Sequence, residues 1–151
     1  MAKEIERKFL VDDMSFKALA VAHNDMSQGY LCTDADATVR VRTSGEKAWI
    51  TVKSRNRGAV RGEWEYPVPV EDAEEMIANC CGSRIISKTR YIVPAGGGLK
   101  WEVDVFHGRH EGLVLAEIEL PAVDTPFDLP AFVGREVTGD PQYYNSVLSG
   151  V

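Results

Sequence analysis

A chain of 151 residues, 44% hydrophobic and 26% charged, has the balance of a globular protein and the length for one core rather than two, so a single domain over 1–151 is expected. Its net charge of -6 argues against sequence-independent nucleic-acid binding. No window approaches the roughly 18 consecutive apolar residues of a spanning helix, and the first residues lack a secretory core, so neither nucleic acid nor membrane is an expected partner and the expected location is cytoplasmic.

In chain order, alternating side chains between turn residues predict strands over 3–10, 28–32, 38–43, 47–53, 60–68, 84–93, 99–106 and 113–120. Three stretches break the alternation and read as short helices: "SFKALAVAH" after the first strand, "VEDAEEMIANCC" mid-chain and "DPQYYNSVLSG" at the end. The runs "PAGGGLK" and "HGRHEG" read as hairpin turns, without the GK[ST] of a phosphate-binding loop. The expected fold is mainly β: an eight-stranded antiparallel closed β-barrel with a few flanking helices and a C-terminal helix.

Residues two apart on a strand share a face. On that rule "EIERKFL" places Glu4, Glu6 and Lys8 together, and "TVRVR" places Arg40 with Arg42. "WITVK" ends in Lys53, "GEWEY" pairs Glu63 with Glu65, and "SKTRY" pairs Lys88 with Arg90. "WEVDVF" pairs Glu102 with Asp104, and "LAEIEL" pairs Glu117 with Glu119. A solvated sheet face accounts for any one of these strands. It accounts poorly for bases and acids sorted onto different strands, since a solvated surface mixes signs. Paired Arg and Glu suit forked recognition of a polyanion and carboxylate binding of a divalent cation. A barrel lined by them forms a tunnel with a cationic and an acidic wall. The ligand complementing both walls is a short polyphosphate with Mg²⁺ or Mn²⁺, as one ion or two.

These segments resemble the CYTH superfamily, the triphosphate tunnel metalloenzymes. "EIERKFL" matches its ExExK signature, and "QGYL", "TVRVR", "WITVK", "GEWEY", "SKTRY", "WEVDVF", "LAEIEL" and "EVTGDPQYYN" follow in the family's order. The resemblance implies an eight-stranded tunnel and metal-dependent hydrolysis of a triphosphate, most simply inorganic tripolyphosphate, to phosphate and pyrophosphate. It assigns Glu4, Glu6, Glu117 and Glu119 to the metal, with Glu63, Glu65, Glu102 and Asp104 lining the acidic side. It assigns Arg40, Arg42, Lys53, Lys88 and Arg90 to the phosphates, Lys8 to the attacked phosphoryl group, and Tyr30 to proton handling or water orientation. The partner is a small-molecule triphosphate, and a homodimer is compatible with the sequence.

The same scaffold carries class IV adenylate cyclases and thiamine or nucleoside triphosphatases, and the short chain leaves little insertion for a base pocket. A non-catalytic polyphosphate- or nucleotide-binding module and a site-free sandwich are the rivals of other classes. Several residues have plainer readings beside a functional one. Arg55, Arg57 and Arg61 form a solvated basic turn or a steering rim. His107 and His110 lack the companions of a metal pair. Cys32, Cys80 and Cys81 are reduced packing thiols. Tyr143, Tyr144 and Asn145 are core or, by the resemblance, part of a helix closing one tunnel mouth.

Overall fold

The computed structural model describes residues 3–150. Its strands are β1 (Lys3–Val11), β2 (Ala22–Asp34), β3 (Ala37–Ser44), β4 (Lys47–Ser54), β5 (Val60–Val68), β6 (Ile85–Gly96), β7 (Leu99–Phe106), β8 (Val114–Glu119) and β9 (Val133–Glu136). Helices α1 (Phe16–Leu19), α2 (Val70–Cys80) and α3 (Asn145–Leu148) complete the set. The strands run β5-β4-β3-β2-β6-β7-β8-β1-β9, every pairing antiparallel, and β1 also pairs with β5. That last pairing closes eight strands into a barrel and leaves β9 as an appended ninth.

β1 makes the closure by changing partner along its length. Lys3–Ile5 pair with β5, whereas Phe9 and Val11 pair with β9 across a register shift. The 55–59 turn bridges the change, with the Glu6 N–H donating to the Ala59 carbonyl at 3.0 Å.

The barrel is inverted relative to an ordinary core: its apolar packing lies mostly outside. Ile5, Phe9, Val93, Trp101, Val103, Ala116 and Ile118 point away from the lumen and cluster under Phe16 of α1 and Phe132 of the 121–133 segment. On the far side α2 lays Ala73, Met76 and Ile77 over Val41, Ala48 and Ile50. Gly29 permits that contact, because a Cβ there would stand 2.6 Å from the Cys81 sulfur. The outward-facing apolar residues of each strand thus find cover, and the charged face is left to look inward. One end of the lumen is apolar: Ile86, Phe106 and Leu115 pack there with Tyr30, Val137 and Leu148 of α3.

The elements differ from expectation in three places. β2 has thirteen residues rather than the five of 28–32, and its polar first half pairs with β6 from Ala22↔Ile92 to Gly29↔Ile85. Its sequence "AHNDMS" carries no alternation, so long-range pairing decides its conformation. The helix expected over 15–23 shrinks accordingly to the four residues of α1. At the C-terminus the expected helix over 140–150 divides into a 3₁₀ turn at Pro141–Tyr143 and a four-residue α3, because Tyr144 between them is extended at φ -70°, ψ 134°. β9, four residues long, is too short for its period to register.

Candidate active site

Barrel closure converts the paired charges into a cavity of about 190 Å³. Register sets the acids side by side: in β1 and β8 Glu6 lies opposite Glu119 and Lys8 opposite Glu117, while Glu102 of β7 lies opposite Glu117. β3 brings Arg40 and Arg42, β4 brings Lys53 and β6 brings Arg90 to the same space. Tyr30, Glu4, Glu63 and Glu65 also line it. Of the residues singled out by the alternation, Lys88 and Asp104 do not. Both are almost without solvent contact, beneath Arg90, and their ammonium and carboxylate lie 2.7 Å apart.

The charged groups hold one another in several clusters around the cavity. Lys53 Nζ stands 3.2 Å from both Glu4 and Glu63, and Arg61 Nε 3.5 Å from Glu4. Arg90 grips Asp104 with Nε at 2.7 Å and Nη2 at 2.9 Å, and reaches Glu102 with Nη1 at 3.0 Å. Arg40 donates to Thr51 at 3.2 Å, and Thr51 donates to Glu65 at 2.7 Å. Among the described residues the buried Arg40 Nε has no acceptor, an unmet donor at the cationic wall.

Lys8 lies 3.4 Å from Glu117 and donates to the Tyr143 carbonyl at 3.0 Å, so the C-terminal segment bears directly on the site. Tyr144, Asn145 and Ser146 of that segment line the cavity. "HGRH" anchors it: Arg109 donates to the Ser149 carbonyl at 2.8 Å and His110 Nε2 meets the Leu148 carbonyl at 2.7 Å. His107 instead faces Thr89, so the two histidines serve different contacts.

Neighbouring charges and burial move the acids apart in protonation. Burial pushes Glu6 up to about 8, with Glu117 and Glu4 adding repulsion. Burial, then Glu4 and Glu102, also raises Glu119. Neither carboxylate has a basic partner within 4.0 Å among the described residues, whereas Glu4, Glu63, Glu65, Glu102 and Glu117 each have one. Glu117 is lowered: burial opposes ionisation, but Lys8, Arg90 and Lys88 outweigh it. Asp104 falls to about 2 against its burial because Arg90 and Lys88 hold it charged. Burial, aided by Arg90 and Arg42, lowers Lys88 to about 7. Arg42 drops to about 9 by burial and by the adjacent Arg40 and Arg90, and so stays cationic at neutral pH.

The donor set suits a hard divalent cation. It is all carboxylate oxygen, and the two acids lacking a basic partner are the cross-strand neighbours Glu6 and Glu119. Among the described residues no three Asp, Glu, His or Cys side chains already converge on one point as a closed cage.

Arg61, Thr38 and Thr51 line the cavity without having been singled out as its lining, and Gln28 lies behind it, bonded to Arg42 and Tyr30. Each continues an i, i+2 series already visible in the sequence: Arg61 with Glu63 and Glu65, Thr51 with Lys53, Thr38 with Arg40, and Gln28 with Tyr30. Arg61 falls inside the expected strand 60–68, and β5, which begins at Val60, brings it to the cavity beside Glu63. Arg55 stays outside, paired with Asp36 at 2.6 Å.

A model of the CYTH domain family matches residues 2–146. An inorganic triphosphatase of Acetivibrio thermocellus is 47% identical over 150 residues, covering 98% of this chain and 94% of that one. The chain belongs to the CYTH domain family. A second relative, an inorganic triphosphatase of Nitrosomonas europaea, is 36% identical over 149 residues, 97% of this chain and 96% of its own. The barrel also matches a crystal structure of an inorganic triphosphatase with a TM-score of 0.66 at 33% identity, covering 99% of this chain and 95% of that one. The CYTH tunnel fold therefore extends over the whole barrel just described.

Proposed function

We propose that this CYTH-domain chain hydrolyses inorganic tripolyphosphate, with a divalent cation, to phosphate and pyrophosphate. The observation that carries the reading is one cavity lined on one side by Arg40, Arg42, Lys53 and Arg90 and on the other by Glu4, Glu6, Glu117 and Glu119. The relatives' activity and the metal dependence of CYTH triphosphatases support it.

The basic wall binds the phosphate oxygens and neutralises their charge, and Arg90, locked by Asp104, presents a fixed donor plane. Lys88 and Asp104 act from beneath as positioning groups. Lys8, which lines the cavity 3.4 Å from Glu117, would contact the phosphoryl group under attack. Glu4, Glu6, Glu117 and Glu119 would hold Mg²⁺ or Mn²⁺, with Glu63, Glu65 and Glu102 leaving donors for a second ion. Such an ion supplies charge neutralisation and a more acidic water. Because phosphoryl transfer passes through a loose transition state, alignment and electrostatics supply most of the acceleration. Among the described residues the aromatic side chains lining the cavity are Tyr30 and Tyr144, each carrying a polar hydroxyl, and the rest of that lining is polar or charged rather than the apolar slot an adenine takes. This favours a bare linear substrate over the cyclase and nucleotidase readings.

Incubation with tripolyphosphate, ATP and thiamine triphosphate, each with Mg²⁺ or Mn²⁺, tests the proposal. Phosphate release fastest from tripolyphosphate is expected. Release from none of them contradicts triphosphatase activity, and cyclic AMP from ATP would assign the cyclase reaction instead.

A further inference from the structure

Gln28 lies on the lumen side of β2, wholly without solvent contact and two residues before Tyr30, on the same face. Opposite them on β3 stand Arg42, across from Gln28, and Arg40, across from Tyr30. A buried amide in a charged barrel is costly unless both its ends are satisfied, and here both are. Arg42 Nε donates to Gln28 Oε1 at 2.9 Å, and Gln28 Nε2 lies 2.9 Å from the Tyr30 hydroxyl oxygen.

Chemistry fixes which way this chain of hydrogen bonds runs. A guanidinium has donors only, so the amide oxygen must face Arg42. The amide NH₂ is thereby turned toward Tyr30, and it too can only donate. The Tyr30 oxygen must accept, and its own hydrogen has no acceptor at Gln28. Among the described residues Tyr30 Oη makes no other protein hydrogen bond, and its side chain lines the cavity.

We propose that Gln28 is a positioning residue: it transmits the fixed polarity of Arg42 to Tyr30, so that the Tyr30 O–H is presented to the cavity as a hydrogen-bond donor for a phosphate oxygen. Tyr30 then binds substrate through its neutral hydroxyl and does not serve as the general base. The inference rests on the triphosphatase reading for the identity of the anion. It adds a neutral donor to the cationic wall and assigns a role to a residue that touches no substrate itself.

The discriminating change is Gln28→Glu, nearly isosteric but without donors when ionised. The introduced carboxylate can still accept from Arg42, but it can only accept from Tyr30, which reverses that bond and draws the hydroxyl hydrogen away from the cavity. The added charge also weakens anion binding directly, which a double-mutant cycle with Tyr30→Phe removes, since it acts in both backgrounds. Tripolyphosphate affinity by calorimetry and kcat and KM by phosphate release are measured for wild type, both single variants and the double.

Tyr30→Phe is expected to raise Kd and KM about 10-fold, the worth of one hydrogen bond to a charged group, with kcat within about threefold of wild type. Gln28→Glu is expected to weaken binding about 10-fold or more in wild type and at least about fivefold less in the Tyr30→Phe background. A fall in kcat of about 10²-fold or more in Tyr30→Phe at unchanged Kd would make Tyr30 the base and overturn the donor role. Strict additivity in the cycle would remove Gln28 from the pathway to Tyr30. If Gln28→Glu does not fold, Gln28→Met takes its place: it frees the Tyr30 hydroxyl to turn, so it too must couple to Tyr30→Phe, and additivity there is equally fatal. Wild-type protein that binds tripolyphosphate without hydrolysing it would contradict the triphosphatase reading while leaving the Kd cycle decisive. Wild-type protein that does not bind it would overturn both.

Discussion

At the residue scale, Glu6 and Glu119 face each other across β1 and β8 without a basic partner among the described residues, and the proposed metal site includes both. Glu119→Gln keeps the size of the side chain and removes the charge. It is expected to lower kcat on the order of 10²-fold while tripolyphosphate binding to the arginines survives, as phosphate release and calorimetry will show. Turnover at the wild-type rate would remove Glu119 from the metal site. Charge matters differently at Arg7 and Glu136, which join β1 to β9 on the outside through contacts of 2.8 and 2.6 Å. The hydrogen bond from Arg7 lowers the Glu136 pKa in the folded chain. A lowered folded value means the stabilisation is present above the ordinary carboxylate value near 4.5 and is lost as pH falls through the depressed one. Glu136→Gln is therefore expected to cost about 0.5 kcal/mol at pH 7, the worth of a part-exposed pair. The gap from wild type should close in acid. Equal denaturation midpoints at pH 7 would show that the pair contributes nothing.

At the scale of elements, the fit of α2 on the barrel depends on Gly29, where a Cβ would stand 2.6 Å from the Cys81 sulfur and 3.0 Å from its Cβ. Gly29→Val should overpack that contact and cost about 1–3 kcal/mol, read as a lower denaturant midpoint. An unchanged midpoint would mean α2 is free to shift. The strands that carry the site were legible because their pattern is local: Glu4, Glu6 and Lys8 read as one face whatever they pair with. The first half of β2 was not, since Ala22, Asn24 and Asp25 become strand by pairing with β6. Register was equally hidden. Alternation places Glu117 and Glu119 on one face, yet nothing local in "LAEIEL" says that Glu119 meets Glu6. Lys88 and Asp104 share the inward face of Arg90 and Glu102, and only the depth of each position separates cavity lining from the buried support below.

At the scale of the whole molecule, the barrel assigns stability and function to opposite faces of the same strands. Its outer face holds Phe9, Trp101 and Ile118 with less than 3% exposure each, and its lumen holds the charges. Trp101→Ala should cost about 3–5 kcal/mol in chemical denaturation. A loss below about 1 kcal/mol would place the stabilising core elsewhere. The lumen is a poor source of stability, since burying ion pairs costs desolvation that their attraction only partly offsets. Its charges make sense as a site for an anion that arrives with its own cation. The most direct test of that claim is the product balance from tripolyphosphate with Mg²⁺, followed against a chelated control. The account predicts phosphate and pyrophosphate in equal amounts, with release abolished by chelation. Release that continues undiminished after chelation would contradict it.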